Sequence, residues 1–201
     1  MAPRIVVAHG YLASPRKHWF PWLVEQFEPG VVRVPALPNS RHPQPGPWLE
    51  TLQDAVGAVD DNTILIGHSL GSITTLRLLA ELPGPWTLRG LILVAGFAQP
   101  LPNLPNLDPF TAAPLDVQAI LHGARRRHVF GSDNDTTVAP PITAALARSL
   151  KAPLTVIPGG GHFVERQGCR SLPELLPVLS GMLSTELSAG HGDSLNMNTS
   201  E

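Results

Sequence analysis

Short apolar runs alternate along the chain with longer stretches in which apolar residues recur at helical spacing. The six runs are mostly β-branched and apolar at consecutive positions, and they cover residues 4–8, 31–34, 63–66, 91–95, 128–130 and 154–157. Strands that are covered by helices on both faces have this pattern, whereas a strand with one solvated face alternates apolar and polar positions. The runs therefore predict a parallel, buried sheet.

The stretches between these runs predict helices at residues 19–28, 48–59, 69–82, 141–150 and 172–187. Strands that alternate with helices through short links form right-handed crossovers in an open, twisted α/β sheet. Residues 97–115 contain five prolines and little periodicity, which predicts a long loop or a small lid above the sheet. The polar tail, residues 188–201, predicts disorder, so a single domain is expected over residues 1–187.

Composition narrows the class of protein. The chain has 201 residues, of which 43% are apolar, and a net charge of −2 with no basic stripe, so we expect no nucleic-acid partner. The single cysteine, Cys169, excludes an internal disulfide and fits a reducing compartment. The apolar run at residues 5–8 is too short for a signal peptide or a membrane span. We therefore expect a cytoplasmic protein without a membrane partner.

The strongest chemical signal is the sequence Gly-His-Ser-Leu-Gly at residues 67–71, between a predicted strand and a predicted helix. This context is typical of a nucleophile elbow, in which a sharp turn lifts a serine hydroxyl above the sheet edge. By itself the motif could be a tight glycine turn with an N-capping serine. The strand before it and the helix after it favour Ser69 as a nucleophile.

A serine hydroxyl is a weak nucleophile and needs a base, which in turn needs an orienting acid. With an elbow, these partners follow in the order acid and then histidine, in loops after later strands. His162 follows three glycines in the loop after the last predicted strand, which favours it as the base. Asp133 and Asp135 both follow the run at 128–130, and the residues alone leave the choice of acid open. No cysteine–histidine cluster or H-E-x-x-H motif is present, so neither a metal nor a cofactor is expected.

An oxyanion formed at the attacked carbonyl needs fixed donors. The Leu70 amide follows the nucleophile directly, and the Tyr11 amide lies in the loop after the first strand. The alternative for this loop is a simple strand-terminating turn. His9 and His68 flank strand ends and are expected to shape the pocket.

Five segments resemble a known family: residues 9–11, 18–23, 67–71, 92–98 and 160–163. Together they are similar to small serine hydrolases of the YdeN and retinoblastoma-binding-protein-nine type, a compact branch of the α/β-hydrolases, over residues 4–187. In that pattern the acid stands three residues after a serine and three before an aliphatic residue. Ser132, Asp135 and Val138 match it, so the resemblance implies that Asp135 is the acid. The second acidic position of the family holds Asn134 here.

The resemblance also implies a compact six-stranded, mostly parallel sheet in the order 2-1-3-4-5-6, with helices on both faces and no large cap. It places Trp19 and Trp22 near the pocket mouth, although two tryptophans three positions apart on a helix are more often core packing. One relative binds a pocket protein through an L-x-C-x-E motif. The residues around Cys169 read Gln-Gly-Cys-Arg-Ser, so that partner is not expected here.

The expected activity is hydrolysis of small carboxylic esters, thioesters or activated amides through an acyl-enzyme. The expected substrate contacts are His9, His68, Trp19, Phe97 and Phe163. Five apolar residues of the 97–115 segment favour a small hydrophobic acyl group; they are Phe97, Leu101, Leu104, Leu107 and Phe110. Two alternatives remain, a binding protein with weak or no turnover on the same fold, and a peptidase or lyase. The residues do not indicate the oligomeric state.

Overall fold

A computed structural model describes residues 3–184, and its centre is one all-parallel sheet. The six strands are β1 Arg4–Ala8, β2 Val32–Arg33, β3 Thr63–His68, β4 Gly90–Val94, β5 Arg127–Ser132 and β6 Leu154–Ile157. Their order is β2-β1-β3-β4-β5-β6, which confirms the predicted sheet and its topology. The predicted tail at residues 188–201 lies outside the described residues.

Six helices cover the two faces of the sheet. They are α1 Phe20–Glu25, α2 Pro45–Val56, α3 Leu70–Glu81, α4 Val117–Gly123, α5 Pro140–Ser149 and α6 Leu175–Leu183. The apolar residues of α1 and α6 pack on one face, and those of α2 to α5 pack on the other. Successive strand residues alternate between these two clusters, which explains why the strands are apolar at consecutive positions. No helix within residues 3–184 is long and apolar enough to cross a membrane.

The observed helices differ from the predicted ones in their boundaries, and one short helix was not predicted. Helices α2 and α5 each begin at a proline. Proline is favoured in the first turn because an N–H group there would have no acceptor within the helix, so its absence loses no hydrogen bond. Helix α4 was not predicted. It has only seven residues, and Asp116 caps it by accepting the Ala119 N–H at 3.1 Å.

Residues 97–115 are an ordered connection that joins the core. They contain a 3-10 helix, Pro105–Phe110, and the side chains of Phe97, Leu101, Leu107 and Phe110 are at most 3% exposed. Arg77 of α3 also donates hydrogen bonds to the carbonyl oxygens of Phe110, Ala113 and Pro114. The predicted long loop or lid above the sheet is therefore a packed segment, because its apolar residues are buried against α2 and α3.

Candidate active site

Ser69 stands at the sharp turn between β3 and α3. Its backbone has φ 54° and ψ −120°, a positive φ that strains a residue with a side chain. The Ser69 amide donates to the Val94 carbonyl at 2.9 Å, and its carbonyl accepts the Ser72 N–H at 2.9 Å. These bonds hold the strained turn in place at the carboxyl end of the sheet.

The two glycines of the motif are required by backbone contacts. A Cβ atom on Gly67 would lie 2.5 Å from the Ser72 Cα, and one on Gly71 would lie 2.7 Å from the His9 carbonyl oxygen. Real Cβ atoms do not approach backbone atoms this closely. The elbow therefore brings α3 against the end of β1 at a distance that only glycine allows.

Three side chains predicted from the sequence are connected by hydrogen bonds. The Ser69 Oγ lies 2.8 Å from His162 Nε2, and His162 Nδ1 lies 2.7 Å from Asp135 Oδ2. All three residues are at most 6% exposed. An ionised carboxylate only accepts hydrogen bonds, so Nδ1 carries the ring proton and Nε2 presents its lone pair to the serine hydroxyl.

The loop after β5 orients the Asp135 carboxylate. Its Oδ1 accepts the N–H groups of Thr137 at 2.8 Å and Val138 at 3.0 Å, which leaves Oδ2 for the imidazole of His162. Asp135 is thus held as an acceptor behind the ring.

The neighbouring residues of that loop bind the loop that carries His162. Asp133 Oδ1 accepts the Gly159 N–H at 2.7 Å, and Asn134 Oδ1 accepts the Gly161 N–H at 2.7 Å. Asp133, the alternative acid, therefore caps the other loop and does not contact the imidazole. Both bonds fix the position of His162 relative to Asp135.

His68 lies beneath His162 and holds its main chain. The His68 Nε2–H donates to the His162 carbonyl at 2.9 Å, and the two ring centroids are 5.3 Å apart. Burial, together with the nearby His162 and His18, lowers the pKa of His68 well below its usual value. His68 is therefore a neutral donor that supports the predicted base.

The two predicted oxyanion donors lie beside the serine. Leu70 is the first residue of α3, so its amide has no acceptor within the helix. The chain passes close to Ser69 at Gly10, where an added Cβ would lie 3.0 Å from the Ser69 Cβ. Tyr11 follows directly and lines the cleft.

Ser69 and His162 open into a cleft of about 780 Å³, a size typical of a site for a small molecule. The cleft is formed by the loops at the carboxyl ends of the strands. The other residues that line it are Tyr11, Leu12, Lys17, His18, Arg41, Asn103, Leu104, Thr137, Val164, Glu165, Arg166 and Arg170. Within residues 3–184, no group of three or more His, Cys, Asp or Glu side chains is arranged to hold a metal ion.

The structure brings none of the five expected substrate contacts to the cleft. Trp19, Phe97 and Phe163 are at most 1% exposed and belong to the apolar clusters. His9 is also buried: its Nδ1–H donates to the Gly10 carbonyl and its Nε2 accepts the Leu37 N–H, each at 3.0 Å. The fifth, His68, supports His162 from below. Burial makes these residues part of the scaffold of the site.

The structure also places most of the expected hydrophobic acyl site outside the cleft. Of the five apolar residues that suggested it, only Leu104 lines the cleft. The other four point into the core, because an apolar side chain in a connection between buried elements is stabilised most by full burial.

Sequence reasoning gave no role to His18, which does line the cleft. Its Nδ1 accepts the Glu165 N–H at 3.1 Å, and its backbone has φ 62°. Burial, and next the positive charge of Lys17, lowers the pKa of His18 to about 4. His18 is therefore neutral at pH 7 and ties the loop after β1 to the segment after His162. The one available signal was its place in the 18–23 segment that resembles the family.

Comparisons with known proteins give the family of the chain. The family model described as serine hydrolase matches residues 5–181. The chain is 39% identical over 188 residues to the YdeN hydrolase of Bacillus subtilis, covering 92% of this chain and 99% of that protein. The crystal structure of YdeN superposes with a TM-score of 0.87, at 38% identity, over 92% of this chain and 100% of that one.

A more distant structure shows the same fold. A carboxylesterase of the thaumarchaeon Nitrososphaera gargenis has a TM-score of 0.64 at 12% identity, over 90% of each chain. The two proteins therefore share an α/β-hydrolase fold. The match to the family model over most of the chain and the identity to YdeN lead to one conclusion: the chain belongs to the serine hydrolase family.

Proposed function

We propose that this protein hydrolyses small carboxylic esters, thioesters or activated amides through an acyl-enzyme on Ser69. The observation that carries the proposal is the continuous hydrogen-bonded series from Ser69 Oγ through His162 to Asp135, with bonds of 2.8 and 2.7 Å. Nucleophile, base and orienting acid in such a series form the arrangement that activates a serine hydroxyl.

In the first step, Ser69 Oγ attacks the carbonyl carbon while its proton moves to His162 Nε2. Asp135 keeps the ring in the productive tautomer and stabilises the imidazolium that forms. The tetrahedral intermediate then collapses, the bond to the leaving alcohol, thiol or amine breaks, and His162 returns the proton to the leaving group. Ser69 now carries the acyl group as an ester.

In the second step, a water molecule gives a proton to His162 Nε2 and attacks the acyl-enzyme. Collapse of this second intermediate releases the carboxylic acid and restores the Ser69 hydroxyl with the proton from His162. We assign the oxyanion in both steps to the amides of Leu70 and Tyr11. The N-terminus of α3 adds the positive end of its dipole at the same place.

The relatives support a hydrolase, and the choice of esters is our own. YdeN is described as a hydrolase, and the carboxylesterase with the same fold shows that this architecture accommodates ester hydrolysis. We also propose a cytoplasmic setting, which the single cysteine supports.

Labelling with a fluorophosphonate probe and turnover of p-nitrophenyl acetate test the nucleophile. We expect the wild type to be labelled and active, and Ser69→Ala to be unlabelled and slower by about 10⁴-fold or more in kcat. Ser149→Ala, which removes an exposed serine hydroxyl of α5, is the matched control and should behave as the wild type. Burial raises the pKa of Cys169 to about 11, so that thiol does not compete for the probe.

The choice of acid has its own test. Asp135→Asn should lower kcat by about 10⁴-fold, because an amide stabilises neither the productive tautomer nor the imidazolium. Asp133→Asn keeps an oxygen acceptor for Gly159 and should stay within about tenfold of wild type. Equal losses in both variants would contradict the assignment. Cleavage of aminoacyl anilides in preference to esters would indicate a peptidase, and probe labelling without turnover would indicate a binding protein.

A further inference from the structure

The cleft is strongly asymmetric in charge. Four cationic side chains line it, Lys17, Arg41, Arg166 and Arg170, against the single carboxylate of Glu165. The chain as a whole has 14 lysines and arginines and a net charge of −2. More than a quarter of the cations of a slightly acidic protein are therefore concentrated around Ser69.

The cations lie on one side of the serine. Lys17 belongs to the connection after β1 and Arg41 to the connection after β2, and these strands precede β3 in the sheet order. The segment with Arg166 and Arg170 reaches the same side, because the Glu165 N–H is bonded to His18 Nδ1 in the connection after β1.

The opposite side of the cleft is uncharged. It is lined by Asn103 and Leu104 after β4 and by Thr137 after β5. The Asn103 side-chain amide donates to the Thr137 carbonyl at 3.0 Å, which joins these two connections. The nucleophile thus stands between a cationic wall and a neutral wall.

The positive charge of the cationic wall is only partly neutralised. Glu165 is taken up by Arg170, whose Nη2 lies 2.8 Å from its Oε1, and the Lys17 ammonium donates to the Leu12 carbonyl at 3.3 Å. Within residues 3–184, Arg41 and Arg166 form no ion pair. His18 adds no charge at pH 7, since its pKa is lowered to about 4 by burial. The wall therefore presents charge that a ligand can neutralise.

We propose that the substrate of this hydrolase carries an anionic oxygen group, a carboxylate or a phosphate, which binds the cationic wall formed by Lys17, Arg41 and Arg166 while Ser69 attacks the carbonyl. The inference rests on the proposed ester hydrolysis and adds the class of substrate. A cleft lined by one sign of charge concentrates ligands of the opposite sign, and the guanidinium fork suits both anions. The neutral wall then receives the uncharged end of the substrate.

The test uses pairs of esters in which an anionic carboxylate is exchanged for a neutral carboxamide of similar size. On the acyl side, mono-p-nitrophenyl glutarate is compared with its terminal carboxamide, and on the alcohol side the butyrate ester of 4-hydroxybenzoate is compared with that of 4-hydroxybenzamide. We expect the anionic member of at least one pair to have a kcat/KM about tenfold higher at low salt. This ratio should approach one in about 1 M NaCl, where charges are screened within a few ångströms.

Variants connect the preference to the wall. Arg41→Gln and Arg166→Gln should each lower the ratio about two- to fivefold, mainly through KM, because they alter binding and not the serine or its base. Arg148→Gln removes one cation from the exposed face of α5, outside the cleft, and should leave the ratio unchanged. Glutarate and inorganic phosphate, compared as competitive inhibitors, show which anion the wall prefers.

A ratio of one or less in both pairs would overturn the inference, and so would a preference that survives removal of both arginines. Neither result affects the proposed hydrolysis, which fails only if Ser69-dependent turnover is absent with every ester. In that case the anionic preference is tested by binding instead of turnover. The Ser69→Ala variant is titrated with the glutarate monoester and with its carboxamide, and binding is measured by NMR. Equal binding of the two overturns the anionic preference independently of catalysis.

Discussion

The elbow around Ser69 is buried, and so are four apolar side chains of the segment at residues 97–115. The two sets of residues are nevertheless constrained in different ways. In the elbow, backbone atoms approach so closely that an added Cβ at Gly67 or Gly71 would lie under 3 Å from other main-chain atoms. In the segment, Phe97 and Phe110 fill space in an apolar cluster, where other apolar residues of similar volume can be accommodated.

This contrast explains why one region is specific in its sequence and the other is not. A backbone contact fixes the residue type at one position, so it leaves a short motif with fixed spacing. A packing contact needs only an apolar residue of suitable size. The residues that it packs against come from distant parts of the chain, so they leave no local motif. Hydrogen bonds constrain the elbow further, in addition to its backbone contacts. The buried side chains of the segment make mainly apolar contacts.

Gly71→Ala gives the largest effect that this comparison predicts. The new Cβ would collide with the carbonyl groups of Ala8 and His9 at the end of β1, and neither backbone can move without disturbing the sheet. We expect a loss of about 5 kcal/mol or more in the free energy of unfolding, measured by urea denaturation. Where the variant does not fold, its absence from the soluble fraction is the corresponding result.

The matched control is Gly181→Ala in α6, where an added Cβ meets nothing within 4 Å. Alanine has the better helix propensity, so we expect stabilisation by about 0.5–1 kcal/mol. If Gly71→Ala were tolerated as well as Gly181→Ala, the close approach of α3 to β1 would not constrain the elbow.

The buried parallel strands and the meeting of Ser69, Asp135 and His162 followed from the sequence because each depends on local signals. The order of the strands in the sheet came from the resemblance to the family. Runs of consecutive apolar residues mark buried parallel strands. The three residues follow the carboxyl ends of β3, β5 and β6, and in a parallel sheet these ends lie on the same side. The sequence also indicated Asp135 over Asp133, but only through the resemblance to the family. The structure gives the physical difference, since Asp133 is engaged by the Gly159 amide.

The lining of the cleft could not be predicted in the same way. Whether an apolar residue in a long connection faces the cleft or the core depends on what α2 and α3 leave uncovered, and no local pattern encodes that. Arg41 and Arg166 are 125 positions apart in the chain, and only the folding of three connections brings them to one wall. His18 was missed for the same reason, because its partner is the main chain of Glu165.

Phe97→Ala and Leu104→Ala separate core from cleft inside the segment. Phe97 is 1% exposed, so its truncation leaves a cavity and should cost about 3–5 kcal/mol of stability. Leu104 lines the cleft and is half-buried, so we expect a stability loss of about 1 kcal/mol and an altered preference among acyl chains of different length. Urea unfolding and a series of p-nitrophenyl esters measure the two effects.

The reverse pattern, with chain-length preference changed by Phe97→Ala and stability lost in Leu104→Ala, would restore the acyl site expected from the sequence. If stability and chain-length preference both changed in both variants, core and cleft roles would not be separable within the segment. The contrast between a core face and a cleft face within residues 97–115 would then be lost.

The last effect concerns acid sensitivity, which the elbow should have because it contains a buried histidine. His68 is neutral in the native state, since burial lowers its pKa far below the usual value of about 6.5. Below pH 6.5 the unfolded chain therefore binds a proton that the native chain does not, and the stability of the fold decreases as the pH falls. One such histidine contributes a slope of about 1.4 kcal/mol per pH unit.

Replacing His68 by Gln keeps an N–H donor for the His162 carbonyl and removes the titrating group. We expect the loss of stability between pH 6.5 and pH 5 to be about 2 kcal/mol smaller in this variant than in the wild type, measured by urea unfolding at both pH values. The contributions of His9 and His18, whose pKa values are also lowered by burial, are common to both proteins and cancel in the difference. His122→Gln, at an exposed position of α4, is the control and should follow the wild type. Parallel stability curves for His68→Gln and the wild type would show that the elbow tolerates a charged histidine, and the contrast with the apolar segment would then rest on backbone contacts alone.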